Sequence, residues 1–180
     1  SWGMTLSYID VEDIFVERID PADPEKYLYK DESKEFEVIE EKILVKGKEP
    51  FSEYIRSTVH GPLIGEVTLH HKQTISLCSM ALRPNRMFVG FMKLCVAENW
   101  DDFLDGVRHI DAPHLNTVYA DIHGNIGLRV TGRVPVRGKG NAQLPVPGWT
   151  GEYDWIGEIP FDKMPQSFNP EKGYLITTNN

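Results

Sequence analysis

The chain has 180 residues, with 19 basic and 27 acidic side chains and a formal net charge of −8 at pH 7. That length predicts one domain, residues 1–180, with room for a sizeable core. Acids spread along the chain leave no basic footprint and argue against nucleic-acid binding. No apolar segment approaches the roughly 20 residues that cross a bilayer, and no n-region, h-region and cleavage pattern opens the chain.

The first stretch, Ser1 to Arg18, sets Asp10, Glu12 and Asp13 directly against the apolar run Ile14-Phe15-Val16. Charges beside such a run must be solvated, paired or bound to a cation, so this is a candidate site. Ile19-Asp20-Pro21-Ala22-Asp23-Pro24 reads as a loop, followed by a Tyr-rich charged stretch to Lys34. Phe36 and Val38, then Ile43 and Val45, alternate on either side of Glu40-Glu41 and predict two short strands. Lys46-Gly47-Lys48 is a turn, Tyr54 to Val59 a strand ended by His60-Gly61-Pro62, and Leu63 to Leu69 another strand. This part of the chain reads as antiparallel meanders.

Met87, Phe88, Phe91, Leu94 and Cys95 then recur at helical spacing between Pro84 and Asn99. Asn99 predicts the N-cap of a second helix, with Asp101 and Asp102 in its first turn and Pro113 beyond its end. Thr117 to Ile122 and Ile126 to Thr131 predict a hairpin about His123-Gly124-Asn125. The Gly- and Pro-rich stretch beyond Gly132 reads as an ordered loop anchored by Trp149, Tyr153 and Trp155, and Gly173 to Thr178 as a last strand. A chain that opens on Trp-Gly and stops just after a strand is expected to be a piece of something larger.

Cys78 and Cys95, in SLCSM and KLCVA, suit buried free thiols as well as a disulfide. The histidines share no metal-ligand spacing and read as surface or turn residues, with His70 and His71 alternating along a strand. Ser1 invites the reading of an N-terminal nucleophile with its own α-amine as base, but without a partnered site it reads better as an ordinary first residue. Asp10, Glu12 and Asp13 suit calcium, the alternative being a solvated strand edge. Asn179, at a strand end, could donate to a developing oxyanion or simply serve turn chemistry.

Several segments occur in a telling order: Trp2-Gly3-x-Thr5, Asp10-x-Glu12-Asp13-Ile14-Phe15-x-Glu17-Arg18, Arg56 to Pro62, and Asn99-Trp100-Asp101-Asp102-Phe103. They continue with Tyr119 to Gly127, Leu144-Pro145-Val146-Pro147-Gly148 and Asn169-Pro170-x-x-Gly173-Tyr174-Leu175 through Asn179-Asn180. The ordered set resembles the penicillin acylase family of N-terminal nucleophile hydrolases over nearly the whole chain. The resemblance implies an α+β fold, a portion of a four-layer αββα architecture with mostly antiparallel sheet. It also implies an internal fragment of the family's β-chain, periplasmic or extracellular in the parent protein.

In that family, self-cleavage of a proenzyme exposes a serine upstream of the Trp-Gly segment, so Ser1 would not be the nucleophile and the fragment alone would be inactive. By position, Asn179 matches the side-chain donor of the oxyanion hole and Leu6 the backbone donor. Tyr8 and Phe91 match the acyl pocket. Asp10, Asp13 and the carbonyls of Glu12 and of the region near Ala142 match calcium ligands, completed by the α-chain and the rest of the β-chain. The parent is expected to hydrolyse linear amides such as penicillins or N-acyl homoserine lactones. The alternative is a non-catalytic calcium-stabilised or ligand-binding domain on the same scaffold, and exposed sheet edges would favour self-association of the piece.

Overall fold

The computed structural model describes residues 1–65 and 73–179. Among them the strands are β1 (Trp2–Leu6), β2 (Glu12–Val16), β3 (Ile19–Asp20), β4 (Asp23–Tyr29), β5 (Glu32–Glu35), β6 (Glu37–Ile43), β7 (Phe51–Thr58), β8 (Gly61–Pro62) and β9 (Ile75–Ser79). Helices α1 (Met87–Cys95) and α2 (Trp100–Val107) follow, then β10 (Leu115–Ala120), β11 (Ile126–Val130), β12 (Pro135–Arg137), β13 (Val146–Pro147), β14 (Trp155–Glu158) and β15 (Gln166–Phe168). The chain divides into two compact units. One comprises Ser1–Val11, Met80–Val136 and Gly157–Asn180, the other Glu12–Ser79 and Arg137–Ile156.

The first unit is built on an antiparallel sheet in the order β1-β10-β11-β15. Its register pairs Trp2 with Tyr119 and Met4 with Thr117, and Tyr119 with Gly127 on the far side, so these residues share one face. Both helices cover that face. Leu94, Phe103, Val107, Ile110 and Tyr119 are buried there, with Met4 and Trp100 packed against them. Phe103 is wholly buried, which contributes about 2–3 kcal/mol at the usual value for a large apolar side chain. Gly127 leaves room for the Trp100 ring, since a Cβ on it would sit 2.3 Å from that ring. Asn99 caps α2 as its sequence predicts, its Oδ1 accepting the Asp102 N–H at 2.9 Å. The opposite face carries Thr5, Asn116, Leu128 and Val130, and a second apolar cluster of Val130, Val134 and Met164.

In the second unit, β2 lies between β9, antiparallel, and β13, parallel. Strand alternation turns Asp13 and Phe15 inward while Glu12 stays exposed, and Glu17, in the same phase, is also buried. Two further three-stranded sheets run β3-β4-β5 and β6-β7-β8. A separate two-stranded ribbon pairs β12 with β14, each of which has residues in both units.

Several local expectations are corrected. Ile19 to Pro24 is a tight strand-turn-strand in which Pro24 falls where the register shifts, the place where a strand tolerates a residue without an N–H. The Glu40-Glu41 pair does not split the next segment, because β7 pairs continuously with β6 from Glu37 to Ile43. The expected last strand is not formed. Tyr174 to Thr178 make no strand ladder among the described residues, and left-handed backbone at Gly173 (φ +72°) and Asn179 (φ +65°) stands at either end of the stretch. The strand expected over Leu63 to Leu69 lies partly outside the described residues, as do His70, His71 and Asn180; Leu63 itself bridges to Ser76.

Cys78 and Cys95 are not joined in a disulfide; Cys78 is buried and Cys95 exposed.

Candidate functional site

The ladder between β1 and β10 fixes which way each amide of β1 points. The Ser1 amine donates to the Ala120 carbonyl at 2.8 Å, Ala120 N–H returns a bond to the Ser1 carbonyl at 2.9 Å, and Ser7 N–H donates to the His114 carbonyl at 3.1 Å. In an antiparallel pair such bonds recur at every second residue, so Trp2, Met4 and Leu6 turn their amides away from β10. Because β1 is the outer strand of its sheet, the Leu6 N–H faces an open edge. The amine of Ser1 is thus an ordinary ladder donor.

The C-terminal segment lies along that same edge. Tyr8 N–H, in phase with Leu6, donates to the Asn179 carbonyl at 3.1 Å, and the hydroxyls of Thr5 and Thr177 are 3.1 Å apart. Asn179 N–H in turn donates to Thr177 Oγ1 at 3.3 Å. Leu6 and Tyr8 are exposed and Asn179 half-buried. Asn179, far away in sequence, therefore meets Tyr8 on the edge that also carries Leu6. The contacts that bring Asn179 to this edge are those of its backbone, its carbonyl to Tyr8 and its N–H to Thr177. Phe91 is placed differently: its ring faces Trp2 at 6.4 Å, at the opposite end of β1 from Leu6.

The second unit holds a buried polar network around His60, a residue whose sequence setting predicts a surface or turn position. Glu17 Oε1 accepts from Thr58 Oγ1 at 2.7 Å, Ser76 Oγ at 2.6 Å and His60 Nδ1 at 2.8 Å. His60 Nε2 faces Asp154 Oδ1 at 3.1 Å, which gives both ring nitrogens a carboxylate. Asp154 Oδ2 accepts from the Tyr29 hydroxyl and pairs with Lys30 at 3.0 Å. His60 stacks on Phe15, centroids 3.8 Å apart. Burial pushes Glu17 up, but the bonds from His60 and Ser76 outweigh it and hold the carboxyl below its ordinary range; Asp154 is lowered against burial by Tyr29, His60 and Lys30. His60 is a buried core residue, and His114 is buried too. The signal available in sequence was Glu17 falling at an inward-facing strand position. Its partners lie 41 to 59 residues away, beyond any local pattern.

The expected calcium donors are only partly assembled. Asp10 belongs to the first unit and Glu12, Asp13 and Ala142 to the second. Asp13 is buried, and its Oδ2 already accepts from Arg137 Nε at 2.7 Å and from Trp155 Nε1. Glu12 and Ala142 line one small cavity with Ile14, Leu77 and Leu144, and Glu12 Oε1 accepts from Ser79 Oγ at 2.7 Å. Calcium takes six to eight oxygens, and among the described residues no three acidic, histidine or cysteine side chains gather to hold a metal. With a guanidinium already on Asp13, these donors do not fit a calcium ion by themselves.

A cavity of about 510 Å³ in the first unit lies among Arg86, Asp111, Arg133 and Glu158. Its charged walls are already paired, Arg86 with Asp111 at 3.1 Å and Arg133 with Glu158.

Comparison with known proteins decides the ancestry of this arrangement. The penicillin amidase family matches residues 1–180, the whole chain. The chain belongs to the penicillin amidase family. It is 33% identical to penicillin G acylase of Escherichia coli over 189 residues, covering 100% of this chain and 21% of that protein. It is 34% identical to the acyl-homoserine lactone acylase QuiP of Pseudomonas fluorescens, covering 99% and 22%. Among solved structures it matches the thermostable penicillin G acylase from Alcaligenes faecalis with a TM-score of 0.83 and 29% identity, over 100% of this chain and 32% of that one. The fold is therefore the α+β fold of that family, mostly antiparallel sheet with two helices among the described residues. The chain spans about a fifth of the length of these curated penicillin amidase relatives. Among the described residues no helix is long and apolar enough to cross a membrane.

Proposed function

We propose that this chain is one portion of an amidohydrolase that cleaves linear N-acyl amides, and that the β1 edge is its share of the catalytic centre. The observation that carries the reading is that Asn179 lies on the edge toward which the Leu6 amide turns. In this reading a serine upstream of the chain attacks the scissile carbonyl, its own α-amine taking the proton. The carbonyl oxygen, gaining negative charge, is received by the Leu6 N–H and the Asn179 carboxamide, two neutral donors carried on backbone that is bonded before substrate arrives. Collapse of the tetrahedral species expels the amine with the proton returned from the α-amine. The exposed Tyr8, two residues from Leu6, borders the same edge and would contact the acyl group. Phe91 would reach it only from the Trp2 end.

The relatives named for penicillin G and for acyl-homoserine lactones support an N-acyl amide as substrate class. The partners in this reading are that small molecule, the α-chain and the remainder of the β-chain of the same precursor, in a periplasmic or extracellular setting. Calcium belongs to the same reading as a structural ion. Within the second unit Asp13 and the carbonyls of Glu12 and Ala142 would be the chain's share of its shell, and no step above uses it.

The test is a pair of measurements with a chromogenic acyl-amide reporter. The 180-residue chain alone is expected to be inactive, and in the full-length protein Asn179→Ala is expected to lower kcat about 100- to 1,000-fold, the cost of one oxyanion donor. Turnover by the isolated chain that falls when Ser1 is replaced, or an unchanged kcat for Asn179→Ala, would overturn the reading in favour of a binding domain on the same scaffold.

A further inference from the structure

We propose that Asn116 is a positioning residue for this amide cleavage, holding the Leu6 backbone so that its N–H stays aimed at the open edge. The inference rests on the oxyanion reading of that edge and adds to it a residue that no sequence motif singled out.

Asn116 lies on β10 opposite Thr5 and is 1% exposed. Its side-chain Nδ2 donates to the Leu6 carbonyl at 3.2 Å. The next atom pair along the chain is also fixed, because Ser7 N–H donates to the His114 carbonyl at 3.1 Å. The peptide between Leu6 and Ser7 is therefore held at both its oxygen and its nitrogen by β10. The Leu6 N–H belongs to the preceding peptide, joined to this plane through the φ and ψ of Leu6, so fixing the plane restricts how far that N–H, which β10 does not engage, can swing. β1 is an outer strand and Leu6 its last residue, where a ladder frays most easily. The anchor is needed at that end.

The surroundings make the clamp rigid. Thr117, next along β10, is 0% exposed. Behind the edge a cavity of about 210 Å³ is bordered by Asn116, Ser7, Ile9, Leu128, Ile176 and Thr177. The Ser7 hydroxyl there is buried without a hydrogen-bond partner among the described residues. Among the described residues the Asn116 amide is the side-chain donor to the Leu6 carbonyl, so its loss would loosen that carbonyl on the side of the cavity. Misplacing a reacting group by an ångström costs up to about 100-fold in rate.

The experiment uses the full-length protein with Asn116→Asp, nearly isosteric but without the donor, beside Asn179→Ala. Asn116→Asp is expected to lower kcat about 10- to 100-fold with KM within about twofold, and its kcat relative to the parent's at the same pH is expected to recover in part as pH is lowered and the carboxyl acquires a proton to donate. Asn116→Ser, which is neutral and too short to reach Leu6, should lower kcat similarly and show no such pH recovery. An unchanged kcat for Asn116→Asp while Asn179→Ala loses turnover would overturn the role of Asn116 and leave the oxyanion reading standing. An unchanged kcat for Asn179→Ala would overturn that reading itself. Failure of both Asn116 variants to fold would make the residue a folding requirement and also overturn the proposal.

Discussion

Replacing Glu17 with alanine isolates the buried network of the second unit. The Glu17 side chain is 0% exposed, and its removal deprives the Thr58 and Ser76 hydroxyls and His60 Nδ1 of their acceptor. Three hydrogen bonds to a carboxylate, at roughly 1.5 kcal/mol each, sum to about 4.5 kcal/mol, inside the 3–5 kcal/mol range for breaking a buried charged pair. Thr58→Val removes one of the three with little change of shape and should cost about 1.5 kcal/mol. Urea unfolding at pH 7, with a slope of about 2 kcal/mol/M, would place the alanine midpoint about 2 M below the parent. Trp149 and Trp155 lie in the same unit and serve as fluorescent reporters. The carboxyls of Glu17 and Asp154 are both held below their ordinary values of 4.5 and 3.8. A depressed folded value means stability that is fully present above the ordinary value and is lost as pH falls through the lower, folded one. The parent should thus keep a flat midpoint from pH 7 to about 5 and lose stability more steeply below pH 4.5 than Glu17→Gln. A Glu17→Ala loss under about 1 kcal/mol, or parallel acid profiles for parent and Glu17→Gln, would refute the reasoning.

Other positions give independent checks. Gly61→Ala should be severely destabilising, because φ is +137° there and a Cβ would lie 2.2 Å from the Leu77 carbonyl oxygen; loss of soluble folded chain on expression measures it. Asn99→Ala should cost about 1 kcal/mol through the lost cap of α2, read by denaturation; Asn99→Asp keeps the cap acceptor but sets a carboxylate against Asp102, to which Asn99 Nδ2 now donates at 2.9 Å, and should also destabilise. A thiol reagent should titrate Cys95 at once and Cys78 only on unfolding, since the first is exposed and the second buried. Immediate reaction of two thiols would contradict the packing of β9.

What the sequence made legible was whatever its signals encode locally. The α1 and α2 periodicities, the Asn99 cap and the turn at His123-Gly124-Asn125 each specify structure within a few residues, and each formed where expected. β9 carries no local signal, because Ile75 to Ser79 is a short run buried on both faces and shows no alternation. The parallel pairing of Val146 with Phe15 joins segments 131 residues apart, counted from their register, and has no local sign. At the site, inspection of single residues could not raise Leu6 above its neighbours, for a backbone N–H leaves no mark in side-chain type. It was the order of motifs along the whole chain that pointed to it, and the ladder phase then showed which way its amide turns. The Arg137 partner of Asp13 was invisible for a similar reason, lying 124 residues away.

The acidic pair Glu40-Glu41, which interrupts the alternation of β6, bears on how the molecule treats copies of itself. β6 is the outer strand of the order β6-β7-β8, and its side chains are exposed from Glu37 to Ile43, Val38, Ile39 and Ile43 among them. Such a strand is a template for another strand of the same sequence. If a second β6 approached antiparallel about the strand's midpoint, Glu40 would face Glu40 and each Glu41 would face an Ile39. Like charges directly opposite oppose pairing, and they do so at the centre of the contact, where no fraying of the ends relieves them. Carboxylates that look misplaced in an apolar strand thus act as gatekeepers, leaving the apolar edge open to a partner that brings a basic residue and closed to its own kind.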